Sequence, residues 1–121
     1  MGLYRLSEAA ERDTVQLLAY TESNFGEIAR LRYERLLATA LRDIADDPER
    51  FGSIVRAEIG SRVRSYHLRH RRDRARSEHG IVQCPRHLLL YRVGLAFNGI
   101  GRVLHDAMEL ERHLPTSYGD D

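Results

Sequence analysis

Two residues late in this chain, Arg102 and His105, are of the types that act on a phosphodiester. An imidazole titrating near neutrality can take or give a proton, and a guanidinium fork grips phosphate oxygens. Arg102 stands three residues before His105, so one short element would carry both. His105 serves equally well as a hydrogen-bonded histidine at the rim of a sheet, and the residues alone leave both readings open. A second set, Arg64, Tyr66, Arg69, Arg86 and Arg92, would line one sheet surface, where arginines either contact a nucleic-acid backbone or face solvent. The run Arg71-Arg72-Asp73-Arg74-Ala75-Arg76 reads as the exposed tip of a long hairpin.

Other chemistries find little footing. Cys84 has no CxxC or CxxH companion, and His67, His70, His79 and His87 are scattered without ligand spacing, so neither a metal site nor a cysteine nucleophile is expected. No glycine-rich phosphate loop, nucleophile elbow or pair of catalytic carboxylates occurs. No cofactor is expected.

The elements that would position these groups follow from periodicity. Leu3 to Leu6 reads as a short strand, and Ser7 as the N-cap of a first helix with Glu8 and Glu11 in its opening turn. Ala10, Thr14, Leu17, Leu18, Thr21 and Phe25 recur at three and four, drawing one apolar face that Gly26 closes. A second helix spans Glu27 to about Ala45, its stripe made by Ile28, Leu31 or Tyr33, Leu36, Leu37, Ala40, Leu41 and Ile44, and Asp46-Asp47-Pro48 ends it. So short a join makes the helices an antiparallel hairpin.

Residues 49–61 read as a connection, and Arg62 to His70 as a strand by alternation. Arg86 to Val93 and Ile100 to Leu104 read as two further strands, with Asn98-Gly99 as the tight turn that pairs them. Ala107 to Leu114 then suggests a short amphipathic helix stopped by Pro115. Strand, helix, helix, three strands and a terminal helical turn make a two-layer α+β domain with helices on one side of a mainly antiparallel sheet. Residues 1–121 are expected to be one domain, with an ordered core over about 3–115 and a tail over 116–121.

Charge is unevenly placed. All nineteen basic residues are Arg. Residues 1–55 carry −3, residues 56–92 carry +7 and residues 93–121 carry −3, so a nearly neutral chain has a basic middle suited to an anionic partner. A single cysteine cannot close an internal disulfide, and the longest aliphatic run is only Leu88 to Leu90. Both point to a soluble, reducing, cytoplasmic setting.

The strings RHLLLYRV and RVLHDAMELERHL resemble the C-terminal signature of the ParE branch of the RelE/ParE toxin family, from bacterial type II toxin–antitoxin systems. The opening YRLSEAAERDTVQLLAYTESNFG is similar to that family's first strand and helix, so the likeness covers roughly residues 4 to 114. It implies the same α+β architecture. It also implies a toxin that engages DNA gyrase and stabilises its cleaved-DNA intermediate, with Arg102, His105, Met108 and Arg112 in the region for target contact and no catalytic residues of its own. A RelE-like alternative, an endonuclease cutting mRNA in the ribosomal A site, would cast Arg92, Arg102 and His105 as catalytic. Against it, those enzymes lean on lysines and a C-terminal tyrosine, whereas this chain has no Lys and its Tyr118 falls in the expected tail.

Either branch implies a cognate antitoxin, ParD-like for the first. An acidic amphipathic antitoxin tail needs an apolar trough with arginines at its margin. Leu17, Tyr20 and Leu37 on the helices, with Arg64, Arg69 and Arg86 from the central hairpin, are the expected contacts. Two features depart from the family pattern: a long, charged 71–84 connection, and Gly101 where a bulky strand residue is expected.

Overall fold

A computed structural model describes residues 2–120. The chain runs β1 (Tyr4–Leu6), α1 (Glu8–Phe25), α2 (Glu27–Asp46), β2 (Ile54–Val55), β3 (Val63–His67), β4 (His87–Arg92) and β5 (Asn98–His105), with 3-10 turns at Leu68–Arg71 and Leu110–Arg112. The five strands form one sheet in the order β1-β5-β4-β3-β2. β1 joins β5 in parallel, and every other pairing is antiparallel. Two helices on a five-stranded mixed sheet give the α+β fold that the order of elements predicts.

Local chemistry accounts for the helices. The Ser7 side chain accepts a hydrogen bond from the Ala10 N–H at 3.0 Å, satisfying one of the first-turn donors that a helix leaves open. Gly26, at φ 93°, ends α1 and starts α2, a conformation closed to most side chains. Ala10 and Leu17 from α1 and Tyr33, Leu36, Leu37, Ala40 and Ile44 from α2 form one core with Tyr66, Leu89, Tyr91, Ile100 and Val103 of the sheet. Phe25 and Ile28, expected within the apolar stripes, are instead exposed at the hairpin's turn, beyond the reach of the sheet.

Several local expectations are overturned by long-range pairing. Asn98-Gly99 is no turn: both residues belong to β5, opposite Tyr4 and Arg5 of β1. The buried Asn98 side chain donates to the carbonyls of Ile44 and Ala45 at the end of α2, and its oxygen accepts from the Gly94 N–H. Those bonds outweigh the local turn preference, and residues 93–97 make the connection. Within 49–61, a stretch expected to hold no strand, Ile54 and Val55 pair with Ser65 and Arg64 to form the sheet's outer edge. β3 stops at His67, where the side-chain Nδ1 accepts from the Arg69 N–H and turns the chain into its 3-10 turn. Only Leu110–Arg112 is helical in the segment expected to form a terminal helix.

Two carboxylates on the helices fasten the sheet. Asp13 of α1 accepts the guanidinium fork of Arg102 at 2.7 and 2.9 Å and the Val103 N–H at 2.9 Å, closing the edge of β5 beyond the end of β1. Asp43 of α2, 5% exposed, accepts from Arg71 at 3.2 Å and from Arg74 at 2.7 Å. Burial alone would raise the Asp43 carboxyl, but the bonds from Arg74 and Arg71 outweigh that and hold it below the usual range. The basic run is therefore tied to α2, not a free tip.

Candidate functional site

A groove of about 610 Å³ lies where the helical hairpin overhangs the end of the sheet. The last turns of α1 supply Leu17, Tyr20, Thr21 and Phe25, and the first turns of α2 supply Ala29, Arg32 and Tyr33. Ile81 to Cys84 form the opposite wall, with Arg86, His87 and His105 closing one end. Arg32 holds that wall in place, because its Nε donates to the His79 carbonyl at 2.5 Å.

The closed end is built around a tyrosine in an aliphatic stripe. Tyr33 Oη accepts from the Arg86 N–H at 3.1 Å and lies 2.7 Å from His87 Nδ1. We assign the His87 proton to Nε2, so that Nδ1 accepts the one hydrogen the Tyr33 hydroxyl has to give. The His87 ring meets the rings of Tyr33 and His105 edge to face, at 5.5 and 5.3 Å. Burial, with the neighbouring His105 second, pushes the His87 imidazole down to about 4. Burial likewise pushes the Tyr33 phenol up to about 12. In the groove, both are uncharged at neutral pH.

Asp106 follows directly on β5. Arg86 binds it with contacts of 2.9 to 3.2 Å, and His67 Nε2 reaches its Oδ2 at 2.9 Å. Hydrogen bonds from Arg86 hold this carboxyl down to about 2, against a smaller opposing effect of burial, with His67 adding to them. His105 Nδ1 accepts from the Ala107 N–H at 3.0 Å, which leaves Nε2 as its free ring nitrogen. The arrangement offers an apolar channel flanked by guanidinium groups, with polar atoms at one end already paired.

Of the residues expected to meet an antitoxin, Leu17, Tyr20 and Arg86 line this groove. Tyr20 is 62% exposed and its ring meets Phe25 edge to face at 6.5 Å. Leu37 does not line the groove: it is 3% exposed and belongs to the core beneath the hairpin. Arg64 donates to Ser53 near the outer strand, and Arg69 is exposed on the 3-10 turn after β3, so neither lines the groove. Tyr66, expected on an arginine-rich surface, is fully buried.

The residues expected to meet the target lie on β5 and the segment that follows it. Arg102 is held by Asp13 and by the His113 carbonyl, His105 closes the groove, Met108 is partly exposed, and Arg112 pairs with Glu109 on the segment beyond β5. The alternative catalytic trio does not converge. His105 sits opposite His87 at one end of β4, whereas Arg92 is at its other end, about 17 Å away at strand spacing. Arg92 is also paired with Asp120. Among the described residues no group of His, Cys, Asp and Glu could hold a metal ion, and no helix is long and apolar enough to cross a membrane.

Arg32, Tyr33 and Phe25 are among the groove residues that sequence reasoning passed over. The one available signal was Tyr33 itself, since a tyrosine in a buried stripe must find a partner for its hydroxyl. A search of the curated proteins finds no match to the chain. The sequence model of the ParE toxin of the type II toxin–antitoxin system, parDE, matches residues 4–110, and these cover the helical hairpin, all five strands and the groove between them. This chain belongs to the ParE toxin family of type II toxin–antitoxin systems.

Proposed function

We propose that this toxin acts by binding DNA gyrase, and that a ParD-like antitoxin neutralises it by laying an acidic amphipathic segment in the groove between the hairpin and the wall at 81–84. Membership of the family supplies the toxin role and the existence of an antitoxin partner. The observation that carries the antitoxin reading is the groove itself, an apolar channel that exposes Tyr20 and Phe25 and sets Arg32 and Arg86 at its margin. Apolar side chains at three- and four-residue spacing would enter the channel, and carboxylates on the same segment would meet the two arginines.

For the target, the support is the family together with the dispersal of the nuclease trio. Arg102 is tied to Asp13, and Arg92 lies at the far end of its strand from His105. Purified toxin mixed with gyrase and supercoiled plasmid should trap linear DNA. In parallel, ribosomes programmed with mRNA should show no new cuts. A-site cleavage that disappears with His105→Ala would replace the gyrase reading with the endonuclease one.

A further inference from the structure

Gly99 and Gly101 occupy alternate positions on β5, on the sheet face away from the helices, and glycines inside a strand weaken it unless something needs the room. What needs the room is the segment 115–120. A Cβ on Gly99 would collide with the Tyr118 carbonyl oxygen and stand 2.8 Å from the Tyr118 Cβ. At Gly101 an added Cβ would stand 2.6 Å from Pro115 Cγ and 2.7 Å from Tyr118 Cε1. Two missing side chains thus form the floor of a trough that fits one aromatic ring.

Arg92 completes the seat. Its guanidinium lies 4.7 Å from the centre of the Tyr118 ring, in cation–π range, and also pairs with the Asp120 carboxylate. With the segment in place, Arg62 and the fully exposed Leu95 border an adjoining depression of about 240 Å³ that Tyr118 and Asp120 themselves help to line. Arg92 holds the segment through a ring and a carboxylate. Among the described residues no backbone hydrogen bond joins 115–120 to β5. A grip of that kind can be released without breaking the sheet.

We propose that this trough is a peptide-binding site for a partner protein's segment bearing an aromatic residue two positions before a carboxylate, and that residues 115–120 occupy it in cis until such a segment displaces them. Tyr118-Gly119-Asp120 shows the chemistry the site accepts: a flat ring between glycine backbone and guanidinium, with an anion on the same arginine. The site lies on the face of β5 away from the core that the helices cover, and it shares no lining residue with the groove.

The test uses the full chain and a labelled peptide, Pro-Thr-Ser-Tyr-Gly-Asp, followed by fluorescence anisotropy. Because a tethered occupant competes at high effective concentration, a chain carrying Tyr118→Ala and Asp120→Ala should bind the peptide at least about tenfold more tightly than the wild type. Adding Arg92→Ala, or replacing the peptide's tyrosine by alanine, should abolish binding. Equal affinity for the wild type and the double variant, or binding that survives Arg92→Ala, overturns the proposal. So does preferential capture of a short single-stranded DNA, which would make the trough a nucleotide site. Gly101→Val gives a second route, since its side chain takes the place of the ring. With the fold checked by circular dichroism, this variant should bind no peptide and should be cut by chymotrypsin after Tyr118 at least about tenfold faster than the wild type. An unchanged cleavage rate also overturns the proposal.

Discussion

Asp13, in the second turn of α1, holds Arg102 of β5 in a two-pronged ion pair, and the same carboxylate takes the Val103 N–H that has no neighbouring strand to pair with. Helix and sheet edge are thereby joined across 89 positions of sequence. Removing either partner leaves a largely buried charge without its mate. Arg102→Ala should therefore cost about 2–3 kcal/mol. For a domain of this size that lowers the thermal midpoint by roughly 10 °C, read by circular dichroism.

Groove and core residues should separate cleanly. Phe25→Ala and Tyr20→Ala remove exposed side chains, so stability should stay within about 0.5 kcal/mol of the parent. Each should nevertheless weaken antitoxin binding about ten- to thirtyfold in calorimetric titration, as aromatic anchors do. Leu37→Ala should show the opposite pattern, losing about 2–5 kcal/mol in denaturant melts, because its side chain fills the core. Unchanged antitoxin affinity in both aromatic variants would remove the groove from the interface.

Acid should loosen the closed end of the groove through His87. Its imidazole is held down to about 4 in the folded chain, against about 6.5 when unfolded, so between those values the unfolded chain binds more protons. Stability from this group is complete above about pH 6.5 and is lost as the pH falls toward 4, by about 1–2 kcal/mol once its partial exposure is allowed for. Asp106, held down to about 2, stays ionised throughout that window and contributes its own loss only at lower pH. His87→Gln keeps an acceptor for Tyr33 but cannot titrate, and should flatten the slope in urea melts between pH 6.5 and 4.

Asp43 should govern how the basic run sits on the helix. Asp43→Ala releases Arg71 and Arg74 and leaves untouched the bonds Arg50 makes to the backbone carbonyl at that position. Trypsin should then cut within 71–76 about tenfold faster than in the parent, with the rest of the chain still protected. Equal cutting rates would mean that the run is held by something other than Asp43.

How much of this was legible in the chain depends on how far apart the interacting residues lie. The three- and four-residue spacing of Leu17 and Thr21, or of Leu36 and Ala40, belongs to one helix, and so does the Ser7 cap. Those features were readable directly. β2 was not, because two residues carry no period. Asn98-Gly99 has the form of a local turn and became a strand only because β1 and the end of α2 come to meet it. Asp13 and Asp43 look like solvent-facing carboxylates until arginines some ninety and thirty positions away arrive. In the groove, Tyr20 and Arg86 were named in advance, whereas Leu37, Arg64 and Arg69 lie elsewhere, since helical spacing alone does not say which side of a stripe meets the sheet.

The parallel pairing of β1 with β5 also sets a timetable. At elongation rates of about 5–20 residues per second, roughly 4–15 seconds separate completion of α1 from arrival of the strand it packs on. For the first part of that interval, until Tyr66 of β3 and then Leu89 and Tyr91 of β4 emerge, the nascent hairpin shows its apolar face uncovered, so a waiting neutraliser meets bare helices before it meets a finished poison.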